Sequence, residues 1–198
     1  MSRTFFLSVA AILLFPPASL LAQEPGRIDV YQDLEVPGQP SRFGREQTLG
    51  VTKINKDALD LVAQGKFDQA IILYHAIAKR IEQKKVEDKN FAAEVLNNLA
   101  VAYYERGREP FFRFNKQEDL LAAADFAQKS LEIKPDYGPA YETLAKVYQW
   151  RKDLENAAQL YALAVQYSDP QSKDYKRLLK RYQVILSLLE KKRRQSQF

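Results

Sequence analysis

Few residues in this chain of 198 amino acids could carry out covalent chemistry. His75 is the only histidine and there is no cysteine, so neither a zinc site with its three or four ligands nor a thiolate nucleophile is predicted. A general base would need a nucleophile and an orienting group beside it. No such group is recognisable around His75, which we therefore expect to have a structural or surface role.

The known catalytic signatures are also missing from the sequence. It contains no glycine-rich phosphate loop, no G-x-S-x-G and no H-E-x-x-H. The acidic residues are scattered along predicted helix surfaces, where pairing with a lysine four residues away accounts for them. The sequence thus predicts a protein that is not an enzyme, with no cofactor and no bound metal.

The elements that would position any functional side chain are predicted to be helices. Apolar residues make up 46% of the chain and charged residues 28%, as in an ordinary soluble domain. There are only 7 glycines, and alanine, leucine, lysine, glutamate and glutamine dominate from residue 53 to residue 192. This composition favours helix over sheet. The length suits one domain.

The clearest helical periodicity lies in residues 141–164. Leu144, Ala145 and Tyr148 fall on one face of a first helix, and Ala157 and Tyr161 fall on one face of a second. Alanines between large residues allow two antiparallel helices to approach closely. A polar break at residues 151–153 separates the two helices and predicts a tight helical hairpin.

This hairpin resembles a tetratricopeptide repeat (TPR), a helix–turn–helix unit of about 34 residues that stacks into a solenoid. The resemblance covers residues 51–170 and implies an all-α, right-handed α-solenoid of about three units, at 51–92, 93–137 and 138–170. Ala58, Ala100 and Ala145 lie at equivalent positions. Their spacing exceeds the repeat length, so the extra residues are expected in loops or helix extensions, where they do not rotate the packing face.

The TPR resemblance also implies a binding surface. In this family the first helix of each pair lines a concave groove, and the residue types at those positions here suit hydrogen bonding to a peptide. Only Asn98 matches the family's clamp for a C-terminal carboxylate, so no such clamp is predicted. Trp150 is interpreted either as an anchor for the turn or as a partner contact. The groove candidates are Asn55, Leu59, Asn97, Asn98, Val101, Tyr104, Glu142, Lys146, Gln149 and Trp150.

An insert at residues 108–118 interrupts the second unit. Three phenylalanines and an arginine stand close together in it: Phe111, Phe112, Arg113 and Phe114. Phenylalanines displayed to water mark a contact surface, whereas phenylalanines folded back over the helix ends would be internal packing. The sequence leaves both interpretations open.

Residues 171–194 are predicted to form an amphipathic helix that caps the last repeat. The other face is charged, and the apolar residues that share one stripe are Tyr175, Leu178, Leu179, Tyr182, Ile185, Leu186 and Leu189. The alternatives for the stripe are dimerisation or membrane contact. The basic tail at residues 191–194 predicts weak contact with anionic surfaces, and no binding of nucleic acid is expected.

The N-terminus predicts export. Residues 1–22 have the positive start, the apolar core and the small-residue end of a secretory signal peptide, with an uncleaved membrane anchor as the alternative. Residues 23–50 are interpreted as a flexible arm, with a short linear motif around Val30 or Phe43 as the alternative. The expected location is the periplasm or the extracellular space, with a bacterial cell envelope as the favoured setting.

These observations together predict a non-enzymatic, exported scaffold that binds a protein or peptide in a concave TPR groove. The alternatives are a self-associating structural protein of the cell envelope, which would form homo-oligomers, or an adaptor anchored through an uncleaved N-terminus. The identity of the partner is not predicted.

Overall fold

The computed structural model describes residues 44–83, 86–109 and 116–195. These residues form seven α-helices and no strand, which confirms the all-α prediction. The helices are α1 (Gly44–Ala63), α2 (Phe67–Glu82), α3 (Lys89–Arg108), α4 (Lys116–Ile133), α5 (Gly138–Trp150), α6 (Leu154–Gln166) and α7 (Lys173–Gln195). None of the helices in these ranges is both long and apolar enough to cross a membrane.

Local sequence signals explain where several helices begin and end. The Asp88 carboxylate accepts hydrogen bonds from the backbone N–H groups of Asn90 and Phe91 and so caps the start of α3. Asp153 caps α6 in the same way through the N–H of Asn156. Gly65, with a φ of 73°, adopts the left-handed conformation that favours glycine just after a helix, here α1.

Two helices begin earlier than the sequence pattern predicts. Helix α1 begins at Gly44 and so includes the last residues of the predicted arm, residues 23–50. Helix α3 begins at Lys89, before the predicted start of the second unit at residue 93, and ends at Arg108. Gly107 provides space: a Cβ atom there would lie 3.1 Å from the Cβ of Asp119. Gly107 thus permits close packing of α3 against α4 and does not adopt the left-handed conformation of a helix terminator.

The seven helices pack in chain order as helical hairpins. Helices α1 and α2, α3 and α4, and α5 and α6 form three pairs, and each pair also contacts the next. The odd-numbered helices contact one another along one row, α1 with α3 and α3 with α5, and α7 covers α6. This arrangement is a helical-repeat solenoid, as predicted.

The core consists mainly of alanines against large side chains. Ala58, Ala100 and Ala145, the equivalent positions of the three units, are fully buried, and Tyr74 and Tyr161 fill the space opposite such alanines. Two buried clusters result, one centred on α1–α4 and the other on α4–α7. The predicted alternation of small and large residues is therefore the packing principle of the domain.

Helix α7 covers the second cluster with a narrower stripe than predicted. Leu178, Ile185 and Leu189 are buried against it, and Tyr182 is half-buried. Leu186, which the pattern placed on the same stripe, is 38% exposed. Helix α6 covers one side of α7, and no further helix follows α7 among the described residues. Part of the apolar stripe therefore stays exposed.

His75 lies inside this framework. Its Nε2 atom is 2.7 Å from the Tyr103 hydroxyl, and its ring meets the Phe126 ring edge-on at 5.3 Å between centroids. Burial lowers the pKa of His75, and the nearby cations Lys129 and Arg106 lower it further. This packed, hydrogen-bonded environment agrees with the structural role predicted for the residue.

Candidate protein-interaction groove

The residues predicted to line a groove all lie on the odd-numbered helices. Asn55 lies on α1, Asn97 to Tyr104 lie on α3, and Glu142 to Trp150 lie on α5. Helix α7 extends the same row, because Arg177 of α7 is bonded to Glu142 of α5. We call the exposed surface along α1, α3, α5 and α7 the odd-helix face.

Three of the predicted groove residues are buried between neighbouring odd helices. Asn55, Asn97 and Glu142 are each 5–6% exposed. The Asn55 amide donates to Glu94 Oε1 of α3 at 3.4 Å, and the Thr143 hydroxyl of α5 donates to Asn97 Oδ1 at 2.8 Å. These side chains form a polar ladder between successive repeats. Their role in contacting a partner stays a prediction.

Glu142 forms the most strongly charged step of the ladder. Arg177 donates to both of its carboxylate oxygens, at 2.5 and 2.8 Å, and Lys146 lies 2.9 Å away. Burial alone would raise the pKa of Glu142, but the hydrogen bonds and charges of Arg177 and Lys146 outweigh it and lower the pKa to about 2. The carboxylate is therefore ionised at neutral pH, and it fixes α7 to α5.

The other predicted groove residues retain accessible surface, with one exception. Asn98, Val101 and Lys146 are half-buried, and Gln149 is exposed. Tyr104 is the exception at 8% exposed, and burial, as the largest cause, raises the pKa of its phenol. The accessible side chains offer amide, aliphatic and cationic groups on one face.

Trp150 lies at the end of α5 and is 41% exposed. The Lys116 ammonium at the start of α4 is positioned 5.0 Å from the centre of its ring. This cation–π contact connects the tryptophan to the helix that follows the insert. Both interpretations of Trp150, a turn anchor and a contact residue, are consistent with this position.

An open cleft of about 330 Å³ separates α5 from α7 on the odd-helix face. Gln149, Arg177, Lys180, Arg181 and Val184 line it. We refer to it as the α5–α7 cleft. Four of its five lining residues were not predicted as site residues, because the sequence pattern assigned the charged face of α7 to solvent.

A buried tyrosine positions one of the cleft residues. The Tyr161 hydroxyl, on α6, donates to Gln149 Oε1 at 3.0 Å. Burial raises the pKa of the Tyr161 phenol, while the nearby Arg181 opposes that effect. Because Tyr161 itself has no exposed surface, it connects Gln149 to the core.

The positive charge of the chain is concentrated on α7. That helix carries nine lysines and arginines against two acidic residues, whereas the whole chain has a net charge of +5. The rest of the chain is therefore slightly acidic. This asymmetry, together with the spacing of Arg177, Arg181 and Val184 along one side of α7, is the sequence signal that could have located the cleft.

The predicted contact surface of the insert and the possibility of a metal site are considered next. Phe111, Phe112, Arg113 and Phe114 of the insert fall outside the described ranges. Within those ranges, no three acidic, histidine or cysteine side chains are grouped as metal ligands would be.

Comparisons with known proteins extend the description of the fold. No protein-family model matches the chain. The uncharacterized protein ycf37 of Pyropia yezoensis is 33% identical over 101 residues, which make up 50% of this chain and 51% of that protein. The chain thus matches about half the length of this curated relative.

Several solved TPR domains have a similar structure. One is the C-terminal TPR-containing domain of a Plasmodium falciparum protein assigned to the FK506-binding proteins (TM-score 0.55, 20% identity, covering 78% of this chain and 97% of that domain). Another is the Sgt2 TPR domain of Aspergillus fumigatus (TM-score 0.53, 18% identity, 72% and 82%). A third is the first TPR domain of human RPAP3 (TM-score 0.50, 17% identity, 71% and 95%). The described residues therefore have the fold of a TPR domain.

Proposed function

We propose that this protein is a non-enzymatic scaffold that binds a peptide or protein partner along the odd-helix face. The observation that carries the proposal is the polar ladder, which fixes α1, α3, α5 and α7 side by side while Asn98, Val101, Lys146 and Gln149 remain accessible. A rigid row of helices with mixed amide, aliphatic and charged side chains suits an extended or helical peptide, whose backbone and side chains need all three kinds of contact.

The proposal includes export. The support for it is the signal-like sequence of residues 1–22, with Arg3 before an apolar core and a small residue, Ala22, at its end. These residues lie outside the described ranges. N-terminal sequencing of the protein from its own cells should begin at Gln23, and a chain that begins at Met1 in a membrane fraction would support the anchored alternative instead.

A paired-variant capture experiment tests the binding face. The protein, with a C-terminal affinity tag, is purified from its own cells as wild type, as Asn98→Ala with Gln149→Ala, and as Gln128→Ala with Gln159→Ala. The last pair is a matched control, because both of its amides are exposed on even-numbered helices.

Mass spectrometry should find a protein that the wild type and the control retain and the odd-helix variant loses. A partner that the odd-helix variant retains and the control loses would place binding on the opposite face and refute the proposal. Sedimentation equilibrium on the same samples would detect self-association, which is the structural alternative.

A further inference from the structure

The α5–α7 cleft contains cations without acidic partners. Lys180 and Arg181 are exposed, and no carboxylate among the described residues forms an ion pair with either of them. Lys176 and Arg177 lie one helical turn before them and add positive charge at the four-residue spacing that is unfavourable for like charges. A negatively charged ligand would therefore reduce the repulsion between these like charges.

Part of the cleft lining is also held in place before any ligand arrives. Arg177 is fixed by two hydrogen bonds to Glu142, and Gln149 accepts a hydrogen bond from the buried Tyr161 hydroxyl at 3.0 Å. A lining whose side chains are already ordered loses less conformational entropy on binding than a free one does. This preorganisation distinguishes the cleft from the exposed tail at residues 191–194, which is equally basic but lies at the end of the helix.

Aliphatic surface continues from the charged part of the cleft. Val184 is 48% exposed in the lining, and Leu188, one turn further along α7, is 40% exposed. Exposed aliphatic side chains beside exposed cations favour a ligand that combines carboxylates with apolar side chains. A nucleic acid or an inorganic anion would leave the aliphatic part uncovered.

We propose that the α5–α7 cleft binds an acidic segment of the partner protein, with carboxylates paired to Lys180 and Arg181 and an aliphatic side chain on Val184. This inference rests on the proposed function, since it specifies the partner's chemistry at one end of the odd-helix face. A peptide fits better than a lipid surface, because the cations and the aliphatic Val184 line one small cleft of about 330 Å³, the scale of a few side chains.

A random library of displayed 12-residue peptides is the probe that tests the inference. The purified protein is immobilised as wild type, as Lys180→Glu with Arg181→Glu, and as Lys53→Glu with Lys79→Glu. The last variant changes the net charge equally, at exposed lysines of the first helical pair. A milder variant, Lys180→Gln with Arg181→Gln, guards against misfolding, and circular dichroism checks every variant.

The wild type and the control should select peptides rich in Asp and Glu with interspersed Leu, Ile or Val. The affinity for a selected peptide, measured by fluorescence anisotropy, should fall at least about tenfold in the charge-reversed variant and by a smaller factor in the glutamine variant. It should also weaken as salt rises from roughly 50 to 300 mM, because the pairs are near the surface.

Three results would overturn the inference, and they are distinguishable from one another. Selection of neutral or basic peptides would refute the acidic partner and leave the scaffold function standing. Acidic peptides that bind the charge-reversed variant undiminished would place the site elsewhere. Selection of no peptide, together with binding to phosphatidylglycerol vesicles that the same variant loses, would indicate a membrane surface and would contradict the proposed function as well.

Discussion

Removing the charge of Glu142 tests whether the polar ladder determines the stability of the solenoid. In Glu142→Gln the side chain keeps its shape and one hydrogen-bond acceptor but loses the negative charge that Arg177 and Lys146 share. Helix α7 is then held to α5 by a weaker interaction, while its apolar contacts with α6 remain. We expect a folded but less stable protein.

The magnitude follows from the electrostatics of the site. A pKa lowered to about 2 from the ordinary value near 4.5 corresponds at face value to about 3 kcal/mol of preferential stabilisation of the charged form. The Arg177 side chain is 42% exposed, however, and solvent screens that part of the interaction. We therefore expect a loss of about 1–2 kcal/mol at pH 7, or about 2–8 °C in Tm for a domain of this size.

The pH dependence provides the sharper test. Because the pKa of Glu142 is lower in the folded state than in the unfolded state, its stabilisation is complete above the unfolded pKa and is lost as the pH falls toward the folded pKa. Thermal unfolding followed by circular dichroism should show a difference between wild type and variant that is constant from pH 7 to about pH 6 and about half as large near pH 3.

A matched control separates this interaction from a general effect of charge. Glu155→Gln removes another carboxylate that contacts α7, in an ion pair with Lys192 at 3.3 Å whose side chains are more than half exposed. It should cost less than about 0.5 kcal/mol. Equal destabilisation by the two variants, or a Glu142→Gln effect that does not change between pH 7 and pH 3, would refute the reasoning.

Three further predictions concern the packing of the solenoid. Ala145→Leu should lower the free energy of unfolding by about 1–3 kcal/mol, because a fully buried alanine has no room for the added atoms; an unchanged urea-unfolding curve would show that the helix pair is packed differently. Asp119→Ala should cost about 3 kcal/mol by urea unfolding, since it leaves the Arg106 guanidinium, only 19% exposed, without the partner that it bonds through two nitrogens; Asp68→Ala, at an exposed partner of the same arginine, is the control and should cost less. Ending the chain before Lys173 should expose the second core cluster and cause aggregation in light scattering, and a stable monomeric truncation would exclude a capping role for α7.

The fold was predictable from the sequence because its packing rule is local. Alanines alternate with large residues at helical spacing in each unit, and that pattern alone identifies the buried faces of α5 and α6. The helix ends were harder to predict. Gly65 and Gly107 look alike in sequence, yet only Gly65 has a positive φ, while Gly107 allows α4 to approach closely. That distinction depends on which helix packs against the glycine, and the local sequence around a glycine does not reveal this.

The candidate site was predictable only in part, for a related reason. Helical spacing correctly places a residue on a helix but does not say whether the next helix covers it. The α5–α7 cleft requires α7 to lie beside α5, and the two helices are joined by the ion pair of Glu142 with Arg177, which are 35 residues apart. An interpretation of α7 as a cap with a solvated charged face therefore missed Lys180 and Arg181.

Asn97 and Asn98 are adjacent in sequence but differ in role. Asn97 stabilises the groove, whereas Asn98 is accessible to a partner. Consecutive residues of a helix point about 100° apart. Asn97 consequently turns toward α5, where it accepts a hydrogen bond from Thr143 and is 5% exposed, while Asn98 stays partly accessible. Substitutions at the two positions should then affect binding by different routes. A change at Asn97 alters the relation of α3 to α5 and must also change stability, whereas a change at Asn98 removes a surface contact and can weaken binding in a domain whose unfolding is unaltered.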